Sequence, residues 1–549
     1  MTTVTTRAPG LAPGVEVHEP MAAGAPWVVR RVDGGYLRVG ADVGRLLRTL
    51  DGRQDAGALA ATLGPPWTEP DVDGVLRRLA PLSVLAGPPA GGPRHRRAPV
   101  RTRPRRIRFV PPLTVQLTLV HPDRLLRRLS PLIDALARRS SLIAATVVVA
   151  GGLLALAGQA PALGAAIGGP QPMAVLIAVA IGSLLTTGLH EFGHGMALSH
   201  YGGRPTRMGM MLFYLTPVFF CDVSDGWRLP RNRQRTRVAL AGIATQLLVA
   251  GAAGIAAGAV AAAGSPTGQA ALLLFSVATF IAALVNLVPF VKFDGYIALM
   301  CHLDVPHLRD RSMQDARSWL ARVLFGAAAR RSLPDLPWAV PFGLAGMVFP
   351  AYLVLTALVL WMDLLQLAGW AGVVALTALL GYLAYRAGRG LVGLVSAARA
   401  AGAGMTRITL VLTAVAGAVA GALVLVPVPG SVTGGFVADG RTVRLVLPDT
   451  VDPAAIEAGD PVELVERGLL TRRGVGQAVV ADGPTEPTLA PLLAFFPIAD
   501  ADDLLVDASG RTLTVTREPS VPVGQAVIAT GDVPLGRWVW NQWVAPVLR

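Results

Sequence analysis

The sequence predicts a polytopic α-helical membrane protein of about seven transmembrane helices, with an N-terminal winged-helix-like domain and a small C-terminal β-rich domain. Three observations predict it. Hydrophobic residues make up 52% of the chain and charged residues only 15%, whereas a soluble domain carries about 25% charge. Apolar runs of about 20 residues recur between positions 141 and 428, the length that crosses a hydrocarbon core. Basic residues gather in alternate loops between those runs, the pattern that orients membrane proteins.

Residues 1–90 read as a soluble domain. Strands are expected at 27–29 and 36–39, then helices at 40–50 and 55–63. Thr68-Glu69-Pro70-Asp71 has N-cap character, with proline favoured in an early turn, and precedes a third helix at 72–79. Small strands with three short helices predict a winged-helix module. Residues 91–140 form a basic linker and interfacial helix. Arg94, Arg96, Arg97, Arg101, Arg103, Arg105, Arg106 and Arg108 crowd the linker, and the helix is expected at 125–136.

The spans are placed at 141–161, 172–198, 237–262, 270–298, 338–361, 366–385 and 408–428. Arginines fill the loops after the second, fourth and sixth spans, including Arg204, Arg228, Arg231, Arg309, Arg311, Arg386 and Arg399. The opposite loops carry almost none. That asymmetry puts the N-terminus on the cytoplasmic side of a cell membrane crossed several times. The first apolar run of adequate length starts near Leu142, so insertion is expected to rely on internal spans rather than a signal peptide. Segment 208–221 is apolar but short and contains Pro217, which predicts a membrane-edge or re-entrant hairpin. Gly254 and Gly258, and Gly417 and Gly421, have the spacing of closely packed helices, although plain alanine/glycine richness explains it as well. An odd number of spans puts residues 430–549 outside the cytoplasm. Alternating segments there, such as 442–447 and 512–516, predict a β-rich domain that binds a partner or acts as a structural cap.

The net charge of +14 raises a nucleic-acid reading. The arginines flank apolar runs instead, which points to membrane topology and anionic lipid and to no nucleic acid. Two cysteines, Cys221 and Cys301, are too few for a disulfide framework or thiolate cluster.

One motif carries chemistry. In His190-Glu191-Phe192-Gly193-His194 the histidines are four residues apart, on one helix face, and can bind one metal ion together. Glu191 is placed to act as general base toward water and then as proton donor to a leaving amine. Zn2+ is the expected metal, supplying an acidified water and a polarised carbonyl. Two imidazoles and a carboxylate within a span are costly without a functional partner. Catalytic zinc keeps three protein ligands, and Asp294, expected at the cytoplasmic end of its span, is the leading candidate for the third. Asp222 and Asp225 read as surface carboxylates, and His200, His302 and His307 as boundary residues. Asn286 has two readings, a substrate or oxyanion contact and an interhelical hydrogen bond. Pro289 interrupts the same run, and Gly295 relaxes the backbone beside Asp294.

His190-Glu-Phe-Gly-His194 followed by Asn286-Leu-Val-Pro289 and Asp294-Gly295 resembles the site-2 protease family of intramembrane zinc metallopeptidases, over about residues 172–300. The resemblance implies a catalytic membrane core at 141–300, with His190, His194 and Asp294 as zinc ligands, Glu191 as catalyst and Asn286 near the bound substrate. Further transmembrane helices follow at 301–429. No PDZ-like insertion separates the motifs. Residues 27–86 resemble the PqqD-like peptide-recognition domain, and the tail faintly resembles a lipoyl-like barrel module. The layout is similar to intramembrane metalloproteases of daptide-type ribosomal peptide biosynthesis. That similarity implies removal of a leader from a hydrophobic precursor peptide, alongside other peptide-modifying or export proteins. The alternatives are regulated intramembrane proteolysis of a membrane-bound regulatory protein, and a non-enzymatic peptide export or immunity protein.

Overall fold

The computed structural model describes residues 8–541 apart from 23, 32–34, 87–106, 111–113, 214–215, 329–330, 368–369, 441, 449–450, 452–455 and 501–502. The arginine-rich run from Arg94 to Arg106 lies outside the described residues. The chain divides into two compact units. One comprises Met1–Ala144, Thr186–Gln246 and Ile297–Asp304; the other comprises Ala145–Leu185, Leu247–Tyr296 and Val305–Arg549.

The first unit begins with an antiparallel sheet, β1 (Glu16–His18), β2 (Trp27–Arg30) and β3 (Tyr36–Val39), in that order. Three helices follow, α1 (Ala41–Thr49), α2 (Ala56–Leu63) and α3 (Glu69–Leu79). Local sequence explains their starts. The Asp55 side chain accepts the Ala58 N–H at 2.8 Å, and Thr68 and Asp71 form a capping box with Pro70 in the first turn. Val29, Leu46, Leu47, Leu59 and Val72 are buried together as the core. Among the described residues of this domain, the strand β1 was not expected; three residues are too few to show an alternating pattern.

In the same unit, β4 (Ile107–Val110), β5 (Thr114–Val120), β6 (Met208–Phe213) and β7 (Thr216–Cys221) form an antiparallel sheet in chain order. The expected hairpin at 208–221 is thus a β-hairpin, and β5 extends it by pairing with β6. Strand pairing satisfies the backbone groups of an apolar segment too short to span. The expected interfacial helix is two short helices, α4 (Asp123–Arg128) and α5 (Ser130–Leu136), broken at Leu129 ahead of Pro131.

Long helices follow: α6 (Arg139–Gly158), the short α7 (Ala160–Gly168), α8 (Met173–His200), α9 (Asn232–Ala262) and α10 (Pro266–Leu287). Then come α11 (Asp294–Leu303), the arginine-rich α12 (Leu308–Phe325), α13 (Ala339–Leu367), α14 (Trp370–Ala400) and α15 (Met405–Leu425). Among the described residues, 6 helices are long and apolar enough to cross a membrane: α6, α8, α9, α10, α13 up to Leu358, and α15. This is the signature of a membrane-embedded protein. The further expected span, 366–385, falls largely in α14, part of whose side chains lie outside the described residues.

The expected span 270–298 is not one helix. It stops at Leu287, Val288 is extended, and a turn leads to α11. Pro289 disfavours helical backbone at the residue before it. Packing between helices also differs from the spacing argument. A Cβ on Gly254 would meet Gly152 O at 3.1 Å and Ser276 Oγ at 3.2 Å, so Gly254 does mark a close approach. Gly417 and Gly421 face open space.

The C-terminal region of the second unit is a β domain. Its strands are β8 (Pro427–Asp439), β9 (Thr442–Pro448), β10 (Pro461–Arg467), β11 (Arg472–Val480), β12 (Glu486–Pro491), β13 (Leu505–Arg517) and β14 (Val523–Pro534). Their order is β11-β10-β14-β8-β9-β13-β12, and an added β11–β13 pairing closes the sheet into a barrel. Phe436, Leu445, Leu464 and Ile528 fill the interior, each fully buried. Closure pairs the edges of the ring β11-β10-β14-β8-β9-β13, while β12 lies outside it, paired with β13.

Candidate metal centre

The site is built on the last third of α8. An apolar run keeps the chain helical up to residue 190, and helical spacing then brings His190 and His194 onto one face. Their Nε2 atoms lie 3.1 Å apart. Two ligands of one tetrahedral zinc ion are about 3.3 Å apart, so the pair is close to the spacing a shared ion needs. Both side chains are buried, at 6% and 5% exposure.

Other groups of the same unit set this geometry. His194 Nδ1 lies 2.7 Å from the Val238 carbonyl oxygen on α9. A proton on Nδ1 donated to that oxygen leaves the Nε2 lone pair for a metal, the usual way such a ligand is oriented. Glu191 is held from another element: the Cys221 N–H, at the end of β7, donates to Glu191 Oε2 at 2.8 Å. His190, Glu191 and His194 present ligand atoms all within 4.8 Å of one another.

Space for an ion is provided by Gly242. A Cβ there would lie 2.5 Å from His194 Nε2 and 2.6 Å from His190 Nε2. Any larger residue on α9 would therefore fill the space into which both nitrogens point. The donor set fits zinc: neutral imidazoles and a carboxylate are its ordinary ligands and partners. Burial pushes the Cys221 thiol up to about 12, with the Glu191 and Asp222 carboxylates adding to the effect.

The rival residues have other occupations. The Asp222 carboxylate accepts from Thr206 Oγ1 at 2.8 Å and from Arg207 at 3.1 Å. Asp225 accepts the Arg204 N–H at 2.8 Å and pairs with Arg228 at 3.1 Å. His200 pairs with Asp134 at 2.8 Å. The two aspartates expected at the surface are instead enclosed, Asp225 buried and the Asp222 side chain only 12% exposed, because their loop folds its own hydroxyl, amide and guanidinium donors around them; the contacts of all three residues are structural.

Asn286 and Asp294 belong to the second unit. Asn286 sits in the last turn of α10 and Asp294 opens α11, where a carboxylate is favoured by the unpaired N–H groups of a helix start. Gly295 has a packing role rather than the expected freedom of backbone: a Cβ on it would lie 2.0 Å from Leu287 O. The turn between Asn286 and Asp294 is braced from α12. Arg309 Nε donates to Phe290 O at 2.9 Å, an Arg309 terminal nitrogen donates to Gly346 O at 2.9 Å, and Lys292 pairs with Asp310 at 3.2 Å.

Sequence reasoning missed Val238, Gly242, the Cys221 N–H and Arg309. Three of these act through backbone or through an absent side chain, which leaves no residue-type signal. The chain matches no known family model, no curated protein and no solved structure.

Proposed function

We propose that this chain is an intramembrane zinc endopeptidase of the site-2 protease type, which removes the leader from a hydrophobic, ribosomally synthesised precursor peptide. The observation that carries the proposal is the convergence of His190 and His194 Nε2 on space left by Gly242, with the Glu191 carboxylate beside them. A zinc ion bound there supplies an acidified water and polarises a carbonyl.

In this reading His190 and His194 hold the ion, and Asp294 is the third ligand that the sequence assigns. Glu191, steadied by the Cys221 N–H, takes a proton from the attacking water and delivers it to the leaving amine. Asn286 holds the substrate backbone. The N-terminal domain recruits the leader. Two observations support that role: the domain belongs to the same compact unit as the histidine pair, and Met21, between β1 and β2, packs against Leu198 and Val238. The Val238 carbonyl is the partner of His194.

The deciding experiment is mass spectrometry of a small precursor encoded beside this protein, after incubation with the wild type and with Glu191→Gln. Leader removal by the wild type alone, with zinc still bound to the variant, is the expected result. Cleavage that survives Glu191→Gln would overturn the mechanism. For the third ligand, Asp294→Ala should greatly lower a zinc content that starts near one per chain, and unchanged content would remove Asp294 from the set.

A further inference from the structure

We propose that the turn joining β10 to β11 is a lipid-contacting foot. It seats the C-terminal barrel on an anionic bilayer surface, with Leu470 among acyl chains and Arg472 against lipid phosphates. The turn reads Arg467-Gly-Leu-Leu-Thr-Arg-Arg473, an apolar tip between cationic flanks, the composition of segments that lie in a membrane interface.

Its position follows from contacts within the second unit. The Gly468 N–H donates to Thr471 O at 2.9 Å, closing the turn, and the Leu469 N–H donates to Ile167 O at 2.9 Å. Leu469 packs against a cluster of Ala166, Val175 and Leu274. Those residues lie at the end of α7, near the start of α8 and in the third turn of α10, where Ala270 and Ala271 of the preceding turn join them; α8 and α10 have membrane-spanning length and apolarity. A second tether holds the same level. The Gln171 N–H donates to Pro497 O at 2.9 Å, and the Met173 N–H, at the first residue of α8, donates to Asp500 Oδ1 at 2.7 Å. Gly468 is required by this seating, because a Cβ on it would lie 2.4 Å from the Gly168 backbone.

The turn is therefore fixed where two spans begin, which is the boundary of the hydrocarbon layer. Beside the seated Leu469, Leu470 is 65% exposed. A large apolar side chain held at that boundary and turned away from the protein meets lipid. The neighbouring arginines divide their work. Arg467 donates to Phe495 O at 3.1 Å and Arg473 pairs with Glu466 at 2.7 Å, while Arg472 is exposed on the first residue of β11. An exposed guanidinium next to an inserted leucine is at the depth of phosphate headgroups, which it binds in a bidentate manner.

The test uses the full chain in vesicles of phosphatidylcholine with phosphatidylglycerol. A nitroxide is placed at Leu470→Cys in a Cys221→Ala, Cys301→Ala background. Collisions with oxygen should be frequent and collisions with a water-soluble nickel chelate rare. The same label at Leu489, which is 57% exposed on β12, should show the reverse. As a check without the cysteine changes, Leu470→Trp should gain fluorescence quenching by brominated lipid chains. Removing phosphatidylglycerol should make the label at 470 shallower, and Arg472→Gln should abolish that dependence. An aqueous pattern at 470 would overturn the proposal. Shielding from both collision agents, the mark of a protein partner or second copy, would overturn it too. A depth indifferent to lipid charge in the unaltered turn would overturn the anionic-lipid contact of Arg472.

Discussion

His190 and His194 are arranged as a candidate metal-ligand pair by the groups around them. One nitrogen of His194 is directed to the Val238 carbonyl, and the other converges on His190 beside Gly242. Gly242→Ala should therefore displace the imidazoles and lower zinc affinity by about tenfold or more, the scale of changes around metal ligands. Zinc per chain by elemental analysis checks this. Gly258→Ala, whose Cβ would meet nothing closer than 3.7 Å, should leave it unchanged. Glu191→Gln keeps shape and the acceptor for the Cys221 N–H but removes the base, so cleavage should fall about 10²-fold or more while zinc remains. Three residues of one motif, His190, Glu191 and His194, point in sequence to the proposed ligand pair and base. The carbonyl, the amide and the missing side chain that arrange them did not show there, because each acts across a long sequence separation and carries no chemical label.

Elements differ in how much of them the sequence discloses. The spans α8, α9 and α15 were legible because about 20 apolar residues in a row have one stable state in a bilayer. The break between α10 and α11 was underread: hydropathy continues across it, while the backbone obeys Pro289. Bracing of that turn by α12 makes a specific prediction. The Arg309 side chain is only 13% exposed and donates to the Phe290 and Gly346 carbonyls. Burial lowers its pKa from the ordinary arginine value, with Asp310 and Tyr296 opposing. Arg309→Met should leave these carbonyls unmatched and cost on the order of 2 kcal/mol locally. Faster hydrogen exchange at 288–294 is the expected readout, with the N-terminal domain unaffected. The hairpin β6–β7 gives a pH prediction. Burial alone would raise the Asp222 pKa, but hydrogen bonds from Ser224, Thr206 and Arg207 hold it below the ordinary 3.8. Its folded pKa being the lower one, its stabilisation is present above pH 3.8 and is lost as pH falls through the folded value. Hydrogen exchange at 204–226 should accelerate in that acid window, and Asp222→Asn should flatten the dependence.

Along the chain, β structure precedes and follows the long apolar helices. The alternation of arginine-rich and arginine-poor loops assigns the N-terminus to the cytoplasm and the β domain to the far side, a proposal that depends on an odd number of spans. Six helices meet the length and hydropathy of a span among the described residues, so α14 decides the parity. Cysteines placed at the exposed Arg53 and Asp482 would settle it. A membrane-impermeant maleimide applied to intact cells should label the site at 482 and spare the one at 53. Labelling of neither would place both domains inside and remove α14 as a span.

Sequence alone determined the membrane character, the sites of most long helices, the presence of β structure at both ends and the candidate His190-Glu191-His194 group. Those properties reside in local composition and in repeats of a few residues, which a chain cannot hide. Tertiary structure alone decided that β5 joins the 208–221 hairpin, that Cys221 steadies Glu191, that Gly242 faces both imidazoles and that β11 pairs with β13. Each of these depends on backbone groups and empty volume meeting across many residues. Hydrogen bonding and close packing select such meetings only once the whole chain has folded.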